Sequence, residues 1–420
     1  MWPTLVVNKI LKKRLGSTNF IADYHHAYDQ PLLSIHEEPI PHHNPDNYNI
    51  NNTNKYKVFV STWNVGGVAP EDDLNMEDLL DTCNNSCDIY VLGFQEIVPL
   101  KASNVLGSEN NQLSTKWNSL IREALNKKKE NNDDDEGNKG SQEFQCIISK
   151  QMVGVFISVW TRKDLRPFIQ HPSVSCIGCG IMGCLGNKGS VSVRFRLHET
   201  SFCFVCSHLA SGGREGDEKH RNSNVAEIFS RTSFPSKGPL LDLPRKILDH
   251  DHVVLLGDLN YRISLPEEST RLLVEKGDWD SLLQNDQLIM ELENGNMLRG
   301  WHEGSIKFAP TYKYFPNSDM YYGCCYHGKK AEKKRAPAWC DRIVWYGNGL
   351  KQLVYNRSES KLSDHRPVKA IFIAQVRVSP ELRNLQTLFL SERFEHIKTP
   401  FGVSTANDDF ICKKQLSFRL

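Results

Sequence analysis

The chain has 420 residues, of which 39% are hydrophobic, and this is enough to bury one large core. Its formal net charge of +1 excludes a global electrostatic attraction to nucleic acid, so any attraction to an anionic molecule must come from local clusters. The sequence contains no run of about eighteen apolar residues, the length that spans a bilayer, and we expect any membrane contact to be peripheral.

The cysteines and the N-terminal residues indicate the cellular compartment in which the protein is expected. Twelve cysteines are scattered without regular spacing, and the first residues lack the apolar region and cleavage site of a secretory signal. We therefore expect reduced thiols and a cytoplasmic protein, with a nuclear pool also compatible.

The two ends of the chain carry little periodic pattern. Residues 1–54 end in an asparagine-rich stretch, which predicts an extended or disordered N-terminal segment. Near its start, apolar and basic residues recur at helical spacing, as in a frayed end that packs on the domain or in a helix at a membrane surface. Residues 379–420 form a C-terminal tail with one helical pattern.

Apolar runs rich in β-branched and aromatic residues predict a series of strands. The runs lie at 56–67, 88–96, 154–160, 190–197, 201–209, 252–260, 340–346 and 367–378. Apolar residues from Leu113 to Leu125 recur at helical spacing, and residues 126–142 have no apolar side chain, which predicts a surface helix followed by a loop insertion. Further helices are predicted around 217–231 and 266–293. So many strands joined by short turns indicate an α/β protein with a largely antiparallel two-sheet core.

Polar residues stand at the ends of several of these apolar runs, where packing alone would not select them. A single polar residue at such a position is usually a turn residue or a solvated strand end. Several together indicate a site, because scaffolds collect functional groups on loops at strand ends. The residues are Asn64, Gln95, Glu96, His208, Asp258, Asn260, Asp364 and His365.

The carboxylates and amides in this set are hard oxygen donors. Such donors suit Mg²⁺, which binds through one or two carboxylates, keeps several waters and takes further oxygens from a phosphate. A zinc site would use histidine and cysteine, and its nearest candidate, Cys176, Cys179 and Cys184, has no clear fourth ligand. The segment GCLGNKGS does not meet the phosphate-loop pattern GxxxxGK[ST], because Asn187 interrupts it, so a nucleotide site is poorly supported.

An ordered set of motifs across about residues 55–378 resembles that of the inositol polyphosphate 5-phosphatases. GDLNYRI and PAWCDRI are specific to that family, whereas the shorter QE and SDH elements also fit the wider DNase I-like superfamily, and the overall pattern is most similar to plant members. The resemblance implies a four-layered α/β/β/α sandwich of the DNase I-like endonuclease/exonuclease/phosphatase type, with residues 55–378 as the catalytic domain. The motifs are TWNVGG (62–67), GFQEIVPL (93–100), GNKGSV (186–191), SHLASG (207–212), GDLNYRI (257–263), PTYKY (310–314), RAPAWCDRI (335–343) and SDHRPV (363–368).

The resemblance also implies roles for the matched positions. Glu96 looks like the principal Mg²⁺ ligand, with Asn64 and Asp364 near the ion. Asp258 looks like the group that orients or deprotonates the attacking water, and Asn260 looks like a hydrogen-bond donor beside it. These roles are physically reasonable, because phosphoryl transfer depends mainly on positioning and on neutralisation of charge.

Two histidines match family positions that hold the scissile phosphate. They are His208 and His365, and Asp341 matches the residue that pairs with His365. An aspartate beside a histidine favours the cationic ring and raises its pKa, so His365 could stay charged against a phosphate near neutral pH.

A further group matches positions that contact the substrate. Tyr312, Lys313, Lys333 and Arg335 resemble the residues that bind the neighbouring 4-phosphate, and Lys188 resembles a further substrate contact. Two of them lie in the basic stretch HGKKAEKKR, which is either a solvated loop or a phosphate-binding segment.

We therefore expect Mg²⁺-dependent hydrolysis of the 5-phosphate of phosphatidylinositol 4,5-bisphosphate, of inositol 1,4,5-trisphosphate or of related inositol phosphates. One alternative is a DNase I-like endonuclease, against which the near-neutral charge and the lack of an extended basic face weigh. The other is a catalytically inactive phosphoinositide-binding scaffold, although every expected polar position is filled. The expected partner is the inositol phosphate itself, with peripheral contact to an anionic membrane and no nucleic acid. The sequence gives no indication of oligomeric state.

Overall fold

The structure is a computed structural model, and it describes residues 18–23, 53–83, 85–99, 111–127, 143–180, 186–235, 243–295, 297–323 and 335–378. Within these residues, twelve strands form two six-stranded sheets. The first sheet has the order β11-β12-β1-β2-β4-β3 and the second has the order β5-β6-β7-β8-β10-β9. The strands are β1 (Thr53–Asn64), β2 (Ile89–Gln95), β3 (Phe144–Met152), β4 (Val155–Arg162), β5 (Ile169–Gly178), β6 (Gly189–Leu197), β7 (Thr200–His208), β8 (His252–Asp258), β9 (His302–Glu303), β10 (Asp341–Tyr346), β11 (Leu350–Arg357) and β12 (Val368–Arg377).

Helices cover the outer faces of both sheets. Those associated with the first sheet are α1 (Met76–Leu80) and α2 (Gln112–Asn126). The helices that follow strands of the second sheet are α3 (Asp217–Arg231), α4 (Glu267–Lys276), α5 (Trp279–Leu283) and α6 (Gln287–Asn294). No helix among the described residues is long and apolar enough to cross a membrane.

Strand β1 shows how the sequence builds these layers. Val58 and Val60 pack in the apolar cluster between the two sheets, whereas Phe59 and Trp63 pack in a second cluster with Trp117 of α2. Successive side chains of a strand point to opposite faces, and a strand that is buried on both faces needs apolar residues along its whole length. The continuous apolar run is therefore the signature of a layer covered on both sides.

Strand β8 has the same construction in the second sheet. Val254 and Leu256 face the cluster between the sheets, and Val253 and Leu255 belong to a third cluster that includes residues of α3 and α6. The α/β class and the four-layered α/β/β/α arrangement predicted from the sequence are thus confirmed.

The predicted elements compare well with the observed ones, with specific differences. The helix predicted through Leu113 to Leu125 is α2, and the helical region predicted around 266–293 consists of three short helices. Strands β3, β5, β9 and β11 were not predicted, and β5 includes Cys176 of the zinc alternative. The proposed surface helix near the N-terminus, the loop insertion beyond residue 127 and the tail from residue 379 lie outside the described residues.

A short part of the N-terminal segment pairs with the edge of the first sheet. Backbone hydrogen bonds of 2.9 and 2.8 Å join Ile21 to Ser149 of β3. Asp23 accepts two hydrogen bonds from the Arg122 guanidinium, at 2.8 and 2.6 Å, and one from the Cys146 amide at 2.8 Å. Residues 18–23 therefore cover backbone groups that an edge strand would otherwise expose.

Arg342 on β10 lies at the centre of a buried ionic network that joins this strand to neighbouring elements of the second sheet. Its Nη1 donates to both carboxylate oxygens of Asp286 at 2.9 Å. Its Nε and Nη2 donate to Glu303 of β9 at 2.7 and 2.5 Å. Asp286 also caps α6, since its Oδ1 accepts from two amides of the first turn at 3.0 Å. One guanidinium thus connects β10, β9 and the start of α6.

Replacement of this guanidinium should therefore destabilise the fold strongly. Arg342→Met leaves two buried carboxylates without their partner, and we expect the free energy of unfolding to fall by about 3–5 kcal/mol. Urea unfolding measures the change. The matched control is Arg377→Met, because the Arg377–Asp251 pair at 2.7 Å is exposed on the arginine side and should contribute less than about 1 kcal/mol. Equal, small effects of both substitutions would contradict this account.

Candidate active site

The second sheet places three of the predicted residues in one row across adjacent strands. His208 ends β7 and is in register with Asp258 at the end of the parallel strand β8. Asp341 begins β10, which runs antiparallel to β8, and it is in register with Asp258 from the other side. The strand register therefore brings these side chains to one edge of the sheet.

The first sheet brings a matching pair to the same edge. Asn64 ends β1 and is in register with Gln95 at the end of the parallel strand β2, and Glu96 follows directly. Asn64 Nδ2 donates to Asp258 Oδ2 at 2.9 Å, so the two sheets meet at this hydrogen bond. Glu96 has a φ of 54°, a left-handed conformation that is uncommon for a non-glycine residue and is often found at functional sites.

His365 is held by Asp341 in the interior of the site. His365 Nδ1 and Asp341 Oδ2 are 2.8 Å apart, and Thr311 Oγ1 donates to the same carboxylate oxygen at 2.7 Å. The amide of His365 is also fixed, because it donates to Ser363 Oγ at 3.2 Å, and Ser363 Oγ donates to the carbonyl of Asn64 at 2.7 Å. The loop before β12 is thus attached to the end of β1.

The charges of the central groups follow from burial and from their neighbours. Burial raises the pKa of Asp258, but His208, His365 and Lys188 together outweigh it and hold the pKa well below its usual range. Burial lowers the pKa of His365, but Asp341, with Asp258 and Asp364 in support, raises it to about 9. Asp258 is therefore anionic and His365 cationic near neutral pH.

His208 has the opposite character although it lies in the same site. Burial lowers its pKa, and the ammonium of Lys188, which contacts Nε2, lowers it further. The ring also lies close to two carboxylates, at 3.2 Å from Asp258 Oδ2 and 3.8 Å from Glu96 Oε1. The structure therefore shifts the pKa values of the two imidazoles beside Asp258 in opposite directions.

The residues predicted to hold Mg²⁺ fit a hard cation. Within the described part of the chain, the shortest ion-pair contact of the Glu96 carboxylate is the 3.8 Å distance to His208, and the side chain is 25% exposed, so its oxygens can accept a ligand. Asp364 Oδ2 is paired with Lys313 Nζ at 2.7 Å, while Oδ1 has one contact of 3.3 Å from Ser363. Asn64 ends β1, which lies in the sheet between β2, the strand before Glu96, and β12, the strand after Asp364. The oxygen donors suit Mg²⁺ better than zinc.

Residues predicted to contact the substrate gather around the ring of Tyr312. The ring centroid lies 4.6 Å from that of His365, and Arg335 Nη1 donates to the phenolic oxygen at 3.1 Å. Lys313 Nζ lies 5.7 Å from the same ring. Lys333 lies outside the described residues.

Two residues of the site were not predicted from the sequence. One is Thr311, which bonds Asp341, and the other is Arg262, which lies 4.5 Å over the Tyr312 ring and donates to Asn260 Oδ1 at 2.6 Å. Both belong to motifs singled out in the sequence, PTYKY and GDLNYRI. Their roles depend on contacts between distant segments, which a single sequence does not reveal.

A cleft of about 500 Å³ opens beside these residues. Three arginines, two carboxylates and two consecutive glycines contribute to its lining. These residues are Arg214, Arg262, Arg335, Asp217, Glu267, Gly212 and Gly213. Because the arginines outnumber the carboxylates, the cleft can accept a molecule that carries phosphates.

Comparison with known families agrees with this geometry. The model of endonuclease/exonuclease/phosphatase family 2 matches residues 61–371. The sequence is 64% identical over 407 residues to the type IV inositol polyphosphate 5-phosphatase 9 of Arabidopsis thaliana, and the match covers 94% of this chain and 96% of that protein. It is 45% identical over 420 residues to the type I inositol polyphosphate 5-phosphatase 8 of the same plant, covering 89% of this chain and 86% of that protein.

A solved structure resembles the fold over most of its length. It is the inositol polyphosphate 5-phosphatase domain of SPsynaptojanin in complex with inositol (1,4)-bisphosphate and a calcium ion. The TM-score is 0.65 at 30% sequence identity, and the match covers 82% of this chain and 92% of that chain.

The pairing of His365 with Asp341 predicts a measurable pKa change. Asp341→Asn keeps the shape of the side chain but removes its charge, which is the main group that raises the pKa of His365, so this pKa should fall well below about 9. NMR titration of the labelled imidazoles in the metal-free protein measures the change. The control is His250, whose pKa is held at about 4 by burial elsewhere and should not move. A His365 pKa that stays near 9 in the variant would contradict the pairing.

Proposed function

Because the chain belongs to the inositol polyphosphate 5-phosphatase family, we propose that it hydrolyses the 5-phosphate of phosphatidylinositol 4,5-bisphosphate and of inositol 1,4,5-trisphosphate with Mg²⁺ bound. The observation that supports this most directly is a single site that holds an anionic Asp258 and a cationic His365, with Arg335 and Lys313 around the neighbouring Tyr312. Such a site can orient a water, neutralise a reacting phosphate and recognise a second phosphate beside it.

Asp258 is placed to orient the attacking water. Its pKa is too low for it to remove a proton readily before attack, so its main contribution is a fixed acceptor for the hydrogen bond of the water. The transition state of phosphoryl transfer needs little prior deprotonation of the nucleophile, and a positioned acceptor is sufficient. The Asp258 carboxylate is fixed by two hydrogen bonds, one of 2.9 Å from the Asn64 side chain and one of 3.2 Å from the backbone N–H of Asn260.

His365, His208 and Lys188 are proposed to hold the oxygens of the scissile phosphate. His365 carries a positive charge because Asp341 supports its protonated form. Lys188 Nζ contacts His208 Nε2 beside Asp258, so the two groups could donate to different oxygens of one phosphate once the substrate replaces their mutual contact. Preformed donors of this kind stabilise the charge that accumulates in the transition state without reorganisation.

Glu96 is the residue that we propose as the principal Mg²⁺ ligand, with Asn64 and Asp364 beside it. The bound ion would supply charge neutralisation at a phosphate oxygen. The 25% exposure of Glu96 and its strained backbone support this role, since a side chain held in a costly conformation at a site edge is commonly functional.

Tyr312, Lys313 and Arg335 are proposed to bind the 4-phosphate. Arg335 and Tyr312 already share a hydrogen bond of 3.1 Å, which orients the guanidinium towards the cleft. Lys333 is proposed to add a further contact from the neighbouring basic stretch. Charged donors next to the reaction centre suit a substrate with phosphates on adjacent carbons.

We also propose that the protein acts in the cytoplasm in phosphoinositide signalling, with transient contact to anionic membranes when the substrate is a lipid. No disulfide joins any two of the eight cysteines among the described residues, which supports a reducing compartment. The same headgroup is present in the lipid and in the soluble inositol phosphate, so one site can serve both.

The roles of Glu96 and Asp258 can be separated by two substitutions. Glu96→Gln and Asp258→Asn should each lower kcat by at least about a hundredfold, because each removes charge that acts in the transition state. Only Glu96→Gln should also weaken Mg²⁺ binding strongly in isothermal titration calorimetry. The control is Asp164→Asn, because Asp164 is exposed and paired with Arg162. This variant should retain the kcat and the Mg²⁺ affinity of the parent.

Two outcomes would contradict these assignments. Full turnover by either variant with unchanged thermal stability would show that the site has been misread. Full activity of the parent in excess chelator would exclude the proposed Mg²⁺ dependence. An abasic DNA duplex serves as the comparison substrate, and its cleavage in place of the inositol phosphate would favour an endonuclease.

Arg335 allows a test of substrate identity rather than of hydrolysis alone. Arg335→Gln should lower kcat/KM for inositol 1,4,5-trisphosphate by about tenfold or more, because a charge-assisted phosphate contact contributes about 1.5–3 kcal/mol. An analogue without the 4-phosphate should lose much less. Both are soluble, so membrane attraction does not enter, and the exposed Arg245→Gln is the control for loss of one charge. Equal losses for both substrates would show that Arg335 does not recognise the 4-phosphate.

A further inference from the structure

Arg262 contacts both halves of the site. Its Nη2 donates to Asn260 Oδ1 at 2.6 Å and its Nε donates to the Asn260 carbonyl at 3.2 Å. The same guanidinium lies 4.5 Å over the ring of Tyr312. Asn260 adjoins the reaction centre at Asp258, and Tyr312 belongs to the proposed 4-phosphate site. A single planar cation therefore connects the two.

The contact with Arg262 determines which way the Asn260 amide faces. A guanidinium has only donors, so the atom it contacts must be the carbonyl oxygen of the amide. The amide nitrogen is then directed away, and Nδ2 donates to the Leu209 carbonyl at 3.2 Å. An amide nitrogen has two hydrogens, so one remains for a molecule in the site. Rotation of the amide by half a turn would place its hydrogens against the guanidinium.

The backbone of Asn260 is also constrained, which leaves the side chain as the adjustable part. The φ of Asn260 is 58°, in the left-handed region, and its backbone N–H donates to Asp258 Oδ1 at 3.2 Å. The amide of Arg262 is anchored in turn, since it donates to Gln287 Oε1 of α6 at 2.9 Å. A lysine at position 262 could supply the positive charge. It could not supply two donors in a fixed planar arrangement, nor a flat group that stacks on the Tyr312 ring.

We propose that Arg262 is a positioning residue: it fixes the orientation of the Asn260 amide beside Asp258 and couples that orientation to the position of Tyr312. The inference rests on the proposed function, because it assigns Asn260 a donor role in the hydrolysis. Arg262 acts through Asn260, and its contribution is lost when that amide is absent.

A double-mutant cycle tests this dependence in the full-length protein with inositol 1,4,5-trisphosphate. Arg262→Met should lower kcat by at least about tenfold in the parent, with a smaller change in KM, because misplaced catalytic groups cost rate more than binding. In the Asn260→Ala background the same substitution should lower kcat by less than about twofold, since the group through which it acts has been removed. Arg262→Lys should remain impaired, because it restores charge without the fork.

The controls separate positioning from loss of stability. Arg194→Met removes another buried guanidinium, which donates to the carbonyls of Pro235 and Pro244 and lies over Phe234, all outside the site. It should lower the thermal midpoint while kcat of the folded protein is retained. Parent-like activity of Arg262→Lys, or additive losses in the cycle, would overturn the positioning role alone. An inactive parent would overturn the proposed function and this inference with it.

Discussion

The hydrogen bond from Asn64 to Asp258 joins the last residue of β1 to the last residue of β8, and so it ties the two sheets together at the edge that carries the site. Each sheet contributes one parallel pair whose carboxyl ends lie at this edge. The site therefore depends on two strand registers and on the packing between them. A shift of one residue in either register would turn His208 or Asn64 to the opposite face.

The electrostatics of the site follow from this geometry. Asp258 has cations on several sides and stays ionised, whereas the two histidines next to it are driven in opposite directions. The pKa of His365 is raised because Asp341 faces it, and the pKa of His208 is lowered because the ring is buried against Lys188. Titratable groups whose pKa values are pushed apart in one site are typical of acid–base and phosphate chemistry.

Much of the site could be predicted from the sequence, because its residues follow apolar strands directly. Asn64, Glu96, His208 and Asp258 each end or follow a buried run, and the motif resemblance supplied Asp341 through PAWCDRI. The strands β3 and β11 were missed because their apolar runs are interrupted by polar residues and bulges. Contacts between distant segments, such as those of Arg262 or of Thr311 with Asp341, depend on the tertiary fold and leave no local pattern.

The fold alone does not determine the reaction, since function depends on the site that a fold carries. This chain combines a cleft lined by three arginines with a strand-end site rich in oxygen ligands. The most direct test is ³¹P NMR of the products from inositol 1,4,5-trisphosphate incubated with the parent protein and Mg²⁺. Our account predicts equal amounts of inorganic phosphate and inositol 1,4-bisphosphate. Release of the 1- or 4-phosphate, or no release at all, would contradict it.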